Sequence, residues 1–132
     1  MTAVFADTFY WIALTNPTDA AHERAREFTN DIVTAEEVLI EYLNYFCTGP
    51  AHLRRKASLI VEAVFRDPTV RLIPQSTASF RAGFALYQSR PDKEYSLTDC
   101  ISMETMRREG LDDVLTNDRH FEQESFRAMF RS

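Results

Sequence analysis

The sequence is poor in the residues that interrupt regular structure. Its 132 residues include only three glycines and five prolines. No internal repeat and no low-complexity segment is visible. This composition argues against a disordered or fibrous chain and predicts helices and strands joined by short loops. The length suits one core of ordinary size, so we expect a single domain over residues 1–132.

Cysteines and long apolar runs are also scarce. Cys47 and Cys100 have no CxxC spacing and no histidine at a metal-ligand spacing. We therefore expect two reduced core residues rather than a disulfide or zinc framework. A membrane-spanning helix needs about 20 consecutive apolar residues, and no such run occurs. The N-terminus also lacks the basic stretch of a signal peptide, so we expect a cytoplasmic protein without a membrane segment.

An excess of basic charge is absent as well. The formal net charge is −5, unlike the basic footprint typical of nucleic-acid-binding proteins. This does not exclude such a partner, because carboxylates gathered around a metal ion would be neutralised there. Basic side chains elsewhere would then be available to contact phosphates. The candidates are Lys93, Arg107, Arg108 and Arg119.

What the chain has is ample core material arranged in alternating segments. Apolar residues make up 45%, with ten phenylalanines, five tyrosines and one tryptophan. Short apolar runs alternate with amphipathic segments, which predicts an α/β fold with a central parallel sheet covered by helices on both faces. The predicted strands are 2–6, 32–34, 70–73, 113–116 and a short one within 126–130. The predicted helices are 19–30, 35–46, 52–66, 76–90 and 97–109. The segment 35–46 is apolar on nearly all sides, so we expect a buried helix there.

Two of the predicted strands are followed by an aspartate. Asp7 follows the first strand, and Asp118 comes two residues after the fourth. Open parallel sheets bind their ligands outside the carboxyl ends of the strands, so these positions favour a site. Each aspartate can also be explained as a turn residue or a helix N-cap, and the sequence leaves that alternative open.

Two further acids stand where a carboxylate needs an explanation. Glu41 lies in the middle of the most apolar helix, where an ionised carboxylate is costly unless it is paired with an arginine or bound to a metal. Asp99 completes the capping-box pattern Ser96-Leu97-Thr98-Asp99, which gives it a structural role. The alternative is that Asp99, at the start of a helix facing the strand ends, is a metal ligand.

If these acids converge, the chemistry is constrained. Two carboxylates at about 5 Å repel by about 3 kcal/mol at an effective dielectric of 20, so such a group needs protons or cations. Oxygen-only ligation favours Mg²⁺ or Mn²⁺ over zinc, with substrate phosphates completing the coordination. The chemistry indicated is phosphodiester hydrolysis. Thr8 and Thr116 could orient a carboxylate or a water, and His120 is the histidine nearest the site in sequence.

The segments VFADTFYWIAL, VLIEYLN and SLTDCISMETMRREGLDDVLTNDRHF, with their spacing, resemble the PIN-domain ribonucleases. The closest resemblance is to VapC-type toxins of bacterial and archaeal toxin–antitoxin pairs, and it covers nearly the whole chain. It implies that Asp7, Glu41, Asp99 and Asp118 form the Mg²⁺ or Mn²⁺ site, with Thr116 at a recurrent hydroxyl position.

The resemblance further implies a three-layer α/β/α sandwich, a homodimer and an endoribonuclease restrained by a cognate antitoxin, whose tail enters the acidic groove. One departure from the family pattern is Ser125, where a glycine is frequent. No residue that reads RNA sequence is identified.

Two other functions remain open. A non-catalytic PIN-like binding module would use the same fold as an interaction surface, although none of the four acids is lost. A phosphatase with Asp7 as its nucleophile is less compatible with the sequence. Such enzymes have a second aspartate two residues later, where this chain has Phe9.

Overall fold

A single parallel sheet organises the chain. The computed structural model describes residues 3–131, and Met1, Thr2 and Ser132 lie outside the described residues. The five strands are β1 (Val4–Ala6), β2 (Ile32–Ala35), β3 (Val70–Ile73), β4 (Asp113–Leu115) and β5 (Arg127–Ala128). The start of the predicted strand 2–6 falls on Thr2, outside the described residues. The other strand predictions agree with the structure to within a few residues.

The strand order creates a crevice beside β1. The order is β3-β2-β1-β4-β5, and every pairing is parallel. From β1 the chain builds outward through β2 and β3, then returns to add β4 on the other side of β1. In β1, Phe5 pairs with Val33 of β2 and with Val114 of β4. The strand order therefore reverses between β1 and β4, and such a switch point is where open α/β sheets bind ligands.

Seven helices in the described range connect and cover the strands. They are α1 (Thr8–Thr15), α2 (His22–Glu27), α3 (Glu36–Tyr45), α4 (Ala51–Arg66), α5 (Thr77–Ser89), α6 (Leu97–Glu109) and α7 (Arg119–Gln123). Ser76 and Ser96 begin α5 and α6 with complete capping boxes. Gly110 ends α6 in the left-handed conformation, with a φ of 70°. The predicted α/β architecture is confirmed.

The prediction of a helix over 19–30 was too long at both ends. The side chain of Asn16 accepts a hydrogen bond from the Thr18 amide, and that of Asp19 accepts one from Ala21. These local bonds hold the chain in turns and delay the start of α2 to His22. The short helix α7 was not predicted, because five residues are too few to establish a periodicity.

The core lies on both sides of the sheet and includes Phe5, Tyr42, Met103 and Phe121, none of which is measurably exposed. Trp11, one of the α1 aromatics, is also buried. Among the described residues, no helix combines the length and the apolar character needed to cross a bilayer.

Two burial predictions were wrong. Helix α3 is not buried on all sides, because Ile40, Leu43 and Tyr45 are exposed on the face turned away from the sheet. Cys47 is exposed, since it lies in the turn after α3, whereas Cys100 is buried as predicted. Both thiols are free.

Candidate metal centre

Asp7 and Asp118 meet at the switch point between β1 and β4. Asp7 directly follows β1 and is only 6% exposed. The Thr116 hydroxyl donates a hydrogen bond to Oδ2 of Asp7 at 3.0 Å, and the Asp118 amide donates to the same Thr116 oxygen at 3.2 Å. Thr116 therefore joins the two acids, and its buried hydroxyl fixes the direction in which Asp7 points.

Glu41 reaches the same region from α3. The hydroxyl of Thr8, the first residue of α1, donates to Oε1 of Glu41 at 2.5 Å. Glu41 is half-buried, and no arginine or lysine pairs with it among residues 3–131. The arginine partner that would have given Glu41 a purely structural role is thus absent from the described chain.

Asp99 has both of the roles that the sequence left as alternatives. Its backbone amide donates to the Ser96 hydroxyl at 3.0 Å, and Oδ2 of Asp99 accepts from the Ser96 amide at 3.3 Å. This capping box holds the carboxylate in one orientation at the start of α6. In that orientation Asp99 faces Asp118 and His120, so the cap also positions a candidate ligand.

Charge repulsion acts among the four acids, but within residues 3–131 the group whose ligand atoms lie within 4.8 Å of one another is Asp99, Asp118 and His120, without Asp7 or Glu41. Burial is the largest cause of the rise in the pKa of Asp7 from 3.8 to about 7, and the charges of Asp99 and Glu41 add to it. Hydrogen bonds from the Thr8 backbone and the Thr116 hydroxyl oppose that rise. Burial also raises the pKa of Asp99, with contributions from Asp118 and Glu41. Carboxylates that destabilise one another's charged form are suited to a cation.

His120 extends this cluster. Its Nδ1 lies 3.4 Å from Oδ1 of Asp118 and 3.7 Å from Oδ2 of Asp99. That nitrogen is buried and has no hydrogen-bond partner among the described residues. Potential ligand atoms of Asp99, Asp118 and His120 lie within 4.8 Å of one another. Unpartnered buried polar atoms are rare in proteins, so this donor set fits a bound divalent cation.

Glu124, whose side chain is only 5% exposed, supports the site from behind, and no local sequence pattern points to it. Glu124 accepts hydrogen bonds from Arg90 at 2.9 Å, from Arg107 at 2.7 Å and from the Tyr95 hydroxyl at 2.9 Å. The Tyr95 ring packs against the His120 ring, with centroids 5.2 Å apart. Glu124 thereby holds the aromatic wall behind His120.

The basic side chains predicted to contact phosphates differ in whether an acid already pairs with them. Arg107 is engaged by Glu124 and Glu104, which makes it a structural residue and not a free phosphate contact. Arg108 lies 3.7 Å from Glu109. Arg119, directly after Asp118, is exposed and makes no ion pair within residues 3–131. Lys93, which is half-buried, also makes no ion pair within residues 3–131, so Lys93 and Arg119 stay the candidates for a substrate phosphate.

The fold and the site are those of the PIN domain, and a PIN domain family model matches residues 4–126. The chain belongs to that family. The resemblance inferred from the sequence is confirmed, and with it the three-layer α/β/α fold.

Named relatives refine this assignment. The chain is 29% identical over 131 residues to VapC20 of Mycobacterium tuberculosis, named a 23S rRNA-specific endonuclease, with coverage of 93% of this chain and 95% of that protein. The crystal structure of VapC20, described as a sarcin–ricin loop cleaving toxin, superposes with a TM-score of 0.78 at 25% identity and covers 93% and 95% of the two chains. FitAcB of Neisseria gonorrhoeae matches with a TM-score of 0.63 at 16% identity, with coverage of 95% of each chain, and shares the fold.

Proposed function

We propose that this protein is a Mg²⁺- or Mn²⁺-dependent endoribonuclease that acts as the toxin of a type II toxin–antitoxin pair in the cytoplasm, with residues 1–132 forming one PIN domain. The observation that carries the proposal is the cluster of Asp7, Glu41, Asp99 and Asp118 at the switch point of the sheet. The activity named for VapC20 supports the same reaction class.

In this proposal the four acids hold the ion, and Thr116 is a positioning residue. A bound divalent ion would activate water and stabilise the negative charge that develops on the phosphate and the leaving oxygen. Thr116 keeps the Asp7 carboxylate directed into the site, and Thr8 does the same for Glu41. Without a cation, the raised pKa of Asp7 means that a proton occupies this carboxyl in part of the molecules at neutral pH.

The proposed substrate is a structured RNA. The names of the VapC20 protein and structure make the sarcin–ricin loop of 23S rRNA the first RNA to test. Because a net charge of −5 gives no general attraction to RNA, binding has to come from local contacts and from the metal. Arg119, which directly follows Asp118 and is exposed, is the residue we propose for such a contact.

The experiment is cleavage of a panel of RNA stem-loops, including the sarcin–ricin loop, by purified protein free of antitoxin. Reactions contain Mg²⁺, Mn²⁺ or EDTA and are run beside Asp99→Asn and Asp112→Asn. The amide of asparagine can still accept the bond from Ser96, so Asp99→Asn keeps the α6 cap. Asp112→Asn removes an exposed acid at the other end of β4 and serves as the matched control.

We expect cleavage with Mg²⁺ or Mn²⁺, none with EDTA, full activity in Asp112→Asn and loss of activity in Asp99→Asn. Equal activity of wild type and Asp99→Asn would refute the proposed site. A folded wild-type protein that cuts none of the RNAs with either metal would favour the alternative of a non-catalytic binding module.

The proposed partners are a cognate antitoxin and a second copy of the chain. Exposed apolar side chains support protein partners, because they are grouped on two surfaces. One surface includes Ile40, Leu43 and Phe65, and the other includes Phe80 and Phe84 on α5. Light scattering of the free protein tests the second copy, and co-purification with a co-expressed candidate antitoxin tests the antitoxin.

A further inference from the structure

A second concavity lies beside the acid cluster and has a different chemistry. It has a volume of about 220 Å³, and its walls include Phe9, Asp19, Arg24, Asn117 and Phe130. Drug-sized ligands occupy pockets of about 300–1,000 Å³, so this one suits a single planar ring system. We call it the aromatic pocket. None of its wall residues belongs to the acid cluster.

The backbone ties the aromatic pocket to the acid cluster. Phe9 follows Asp7 by two residues, and Asn117 directly precedes Asp118. The Phe130 amide donates to the Thr116 carbonyl at 3.0 Å, and Thr116 is the residue whose hydroxyl joins Asp7 and Asp118. Because neighbouring Cα atoms are about 3.8 Å apart, the backbone of Asn117 in the pocket wall lies about that far from those of Thr116 and Asp118.

The walls of the aromatic pocket offer stacking surfaces and a positive charge. The rings of Phe9 and Phe130 meet edge to face, with centroids 5.7 Å apart, and both side chains are half-buried. The Arg24 guanidinium lies 4.6 Å above the Phe130 ring, held by a hydrogen bond to the Met129 carbonyl at 2.8 Å. Arg24 forms no ion pair within the described part of the chain. Arg24 is exposed, and the Phe130 ring lies against one face of its planar group.

We infer that the aromatic pocket binds a nucleobase of the RNA, from a nucleotide next to the cleaved bond. The inference rests on the proposed function and adds a specificity subsite to it. Bases presented by single strands and loops stack on aromatic rings and on guanidinium planes, and this pocket has both. The Asp19 carboxylate in the wall disfavours a phosphate there but can accept a hydrogen bond from a base amino group.

Binding of a short single-stranded oligoadenylate to Asp99→Asn, which is not expected to cleave it, tests the inference. The second probe is the same ribose–phosphate chain without bases. Both are fluorescently labelled and titrated by anisotropy in Mg²⁺. Phe130→Leu, Phe9→Leu and Arg24→Gln are combined with Asp99→Asn. Phe84→Leu, an exposed phenylalanine on α5, is the matched control.

Stacking of one base on an aromatic side chain corresponds to about a 5- to 100-fold change in affinity. We expect Phe130→Leu to weaken binding of the oligoadenylate by this factor and to leave binding of the base-free ribose–phosphate probe unchanged. We expect Phe84→Leu to change the binding of neither probe. Phe9→Leu and Arg24→Gln give the same pattern if Phe130→Leu fails to fold by circular dichroism.

Equal losses for both probes, or no loss in any pocket variant, would overturn the inference. These outcomes leave cleavage by the wild-type protein unaffected, so they are distinguishable from failure of the proposed function. In the cleavage assay, the pocket variants should raise KM more than they lower kcat.

Discussion

Ser125 adopts a backbone conformation that suits glycine, and this gives a quantitative test of the structure. Its φ is 72°, in the left-handed region, directly after the end of α7. The Phe126 amide donates a hydrogen bond to the Phe121 carbonyl at 3.0 Å, and the Ser125 amide donates one to the Glu122 carbonyl at 3.1 Å. These two bonds are the Schellman motif. The rings of Phe121 and Phe126 pack together at 6.3 Å, as this motif favours. Ser125 is therefore strained.

Replacing Ser125 with glycine should stabilise the protein. A left-handed conformation costs a residue with a Cβ about 1–2 kcal/mol. Glycine removes this cost but increases the entropy of the unfolded chain, which offsets about 0.4–1 kcal/mol. The Ser125 side chain is exposed and makes no hydrogen bond to the described residues, so nothing else is lost. The expected gain in the free energy of unfolding is about 0.5–1 kcal/mol.

Thermal denaturation followed by circular dichroism measures this gain. For a domain of this length the entropy of unfolding makes 1 kcal/mol equivalent to about 3–4 °C, so Ser125→Gly should raise Tm by about 2–4 °C. Ser125→Ala keeps the Cβ and should leave Tm unchanged. Gly110→Ala is the reverse change at a φ of 70° with no atom within 4 Å of the added carbon, and should cost about 1 kcal/mol through backbone strain alone. An equal rise for glycine and alanine at position 125, or a fall for glycine, would refute the reasoning.

Helix packing, pH and metal binding supply three further tests. Gly83→Ala places a carbon 2.9 Å from the Cα of Ile101, so it should push α5 away from α6. We expect the free energy of unfolding, measured in urea, to fall by about 1–3 kcal/mol, although alanine has the better helix propensity. Although burial opposes ionisation, hydrogen bonds from Arg90, Arg107 and a tyrosine lower the pKa of Glu124 from 4.5 to about 2. The stabilisation that ionised Glu124 contributes is present above pH 4.5 and is lost as the pH falls towards 2. Glu124→Gln should therefore flatten the Tm–pH profile between pH 4.5 and 2. Mg²⁺ or Mn²⁺ at 100 times its Kd should stabilise the wild type by about 2.7 kcal/mol in calorimetry, and Asp99→Asn much less.

The sequence predicted the sheet well because its strands are short apolar runs with clear boundaries. Val70–Ile73 agrees residue for residue, and the capping-box pattern beginning at Ser96 marked the start of α6. It failed where local hydrogen bonds compete with periodicity, as in the turns before α2. The sequence also led us to overestimate the burial of α3. A helix that is apolar on all sides does not show which of its residues face the core.

For the site, the sequence identified the acids but not the groups that hold them. Acids that follow strands or lie inside an apolar helix can be recognised in the sequence, because burying an ionised carboxylate in such surroundings costs free energy. The role of Glu124 depends on α7 folding back against Arg90 and Tyr95, which are about 30 residues away in sequence. Likewise, the direction of the His120 ring is set by packing against Tyr95. No local pattern encodes such contacts.

Thr116 couples the site to the part of the sheet made by β1, β4 and β5. Its hydroxyl bonds to Asp7, which is 109 residues away, and its carbonyl accepts the amide of Phe130 after β5. The two ends of the chain therefore meet at one residue. Bringing the carboxylates together costs free energy, as the raised pKa values of Asp7 and Asp99 indicate. The apolar strands β1 and β4, buried on both faces, offset that cost. The folded sheet therefore holds the acids together, and under the proposed function a cation that binds them would add its binding energy to the stability of the fold.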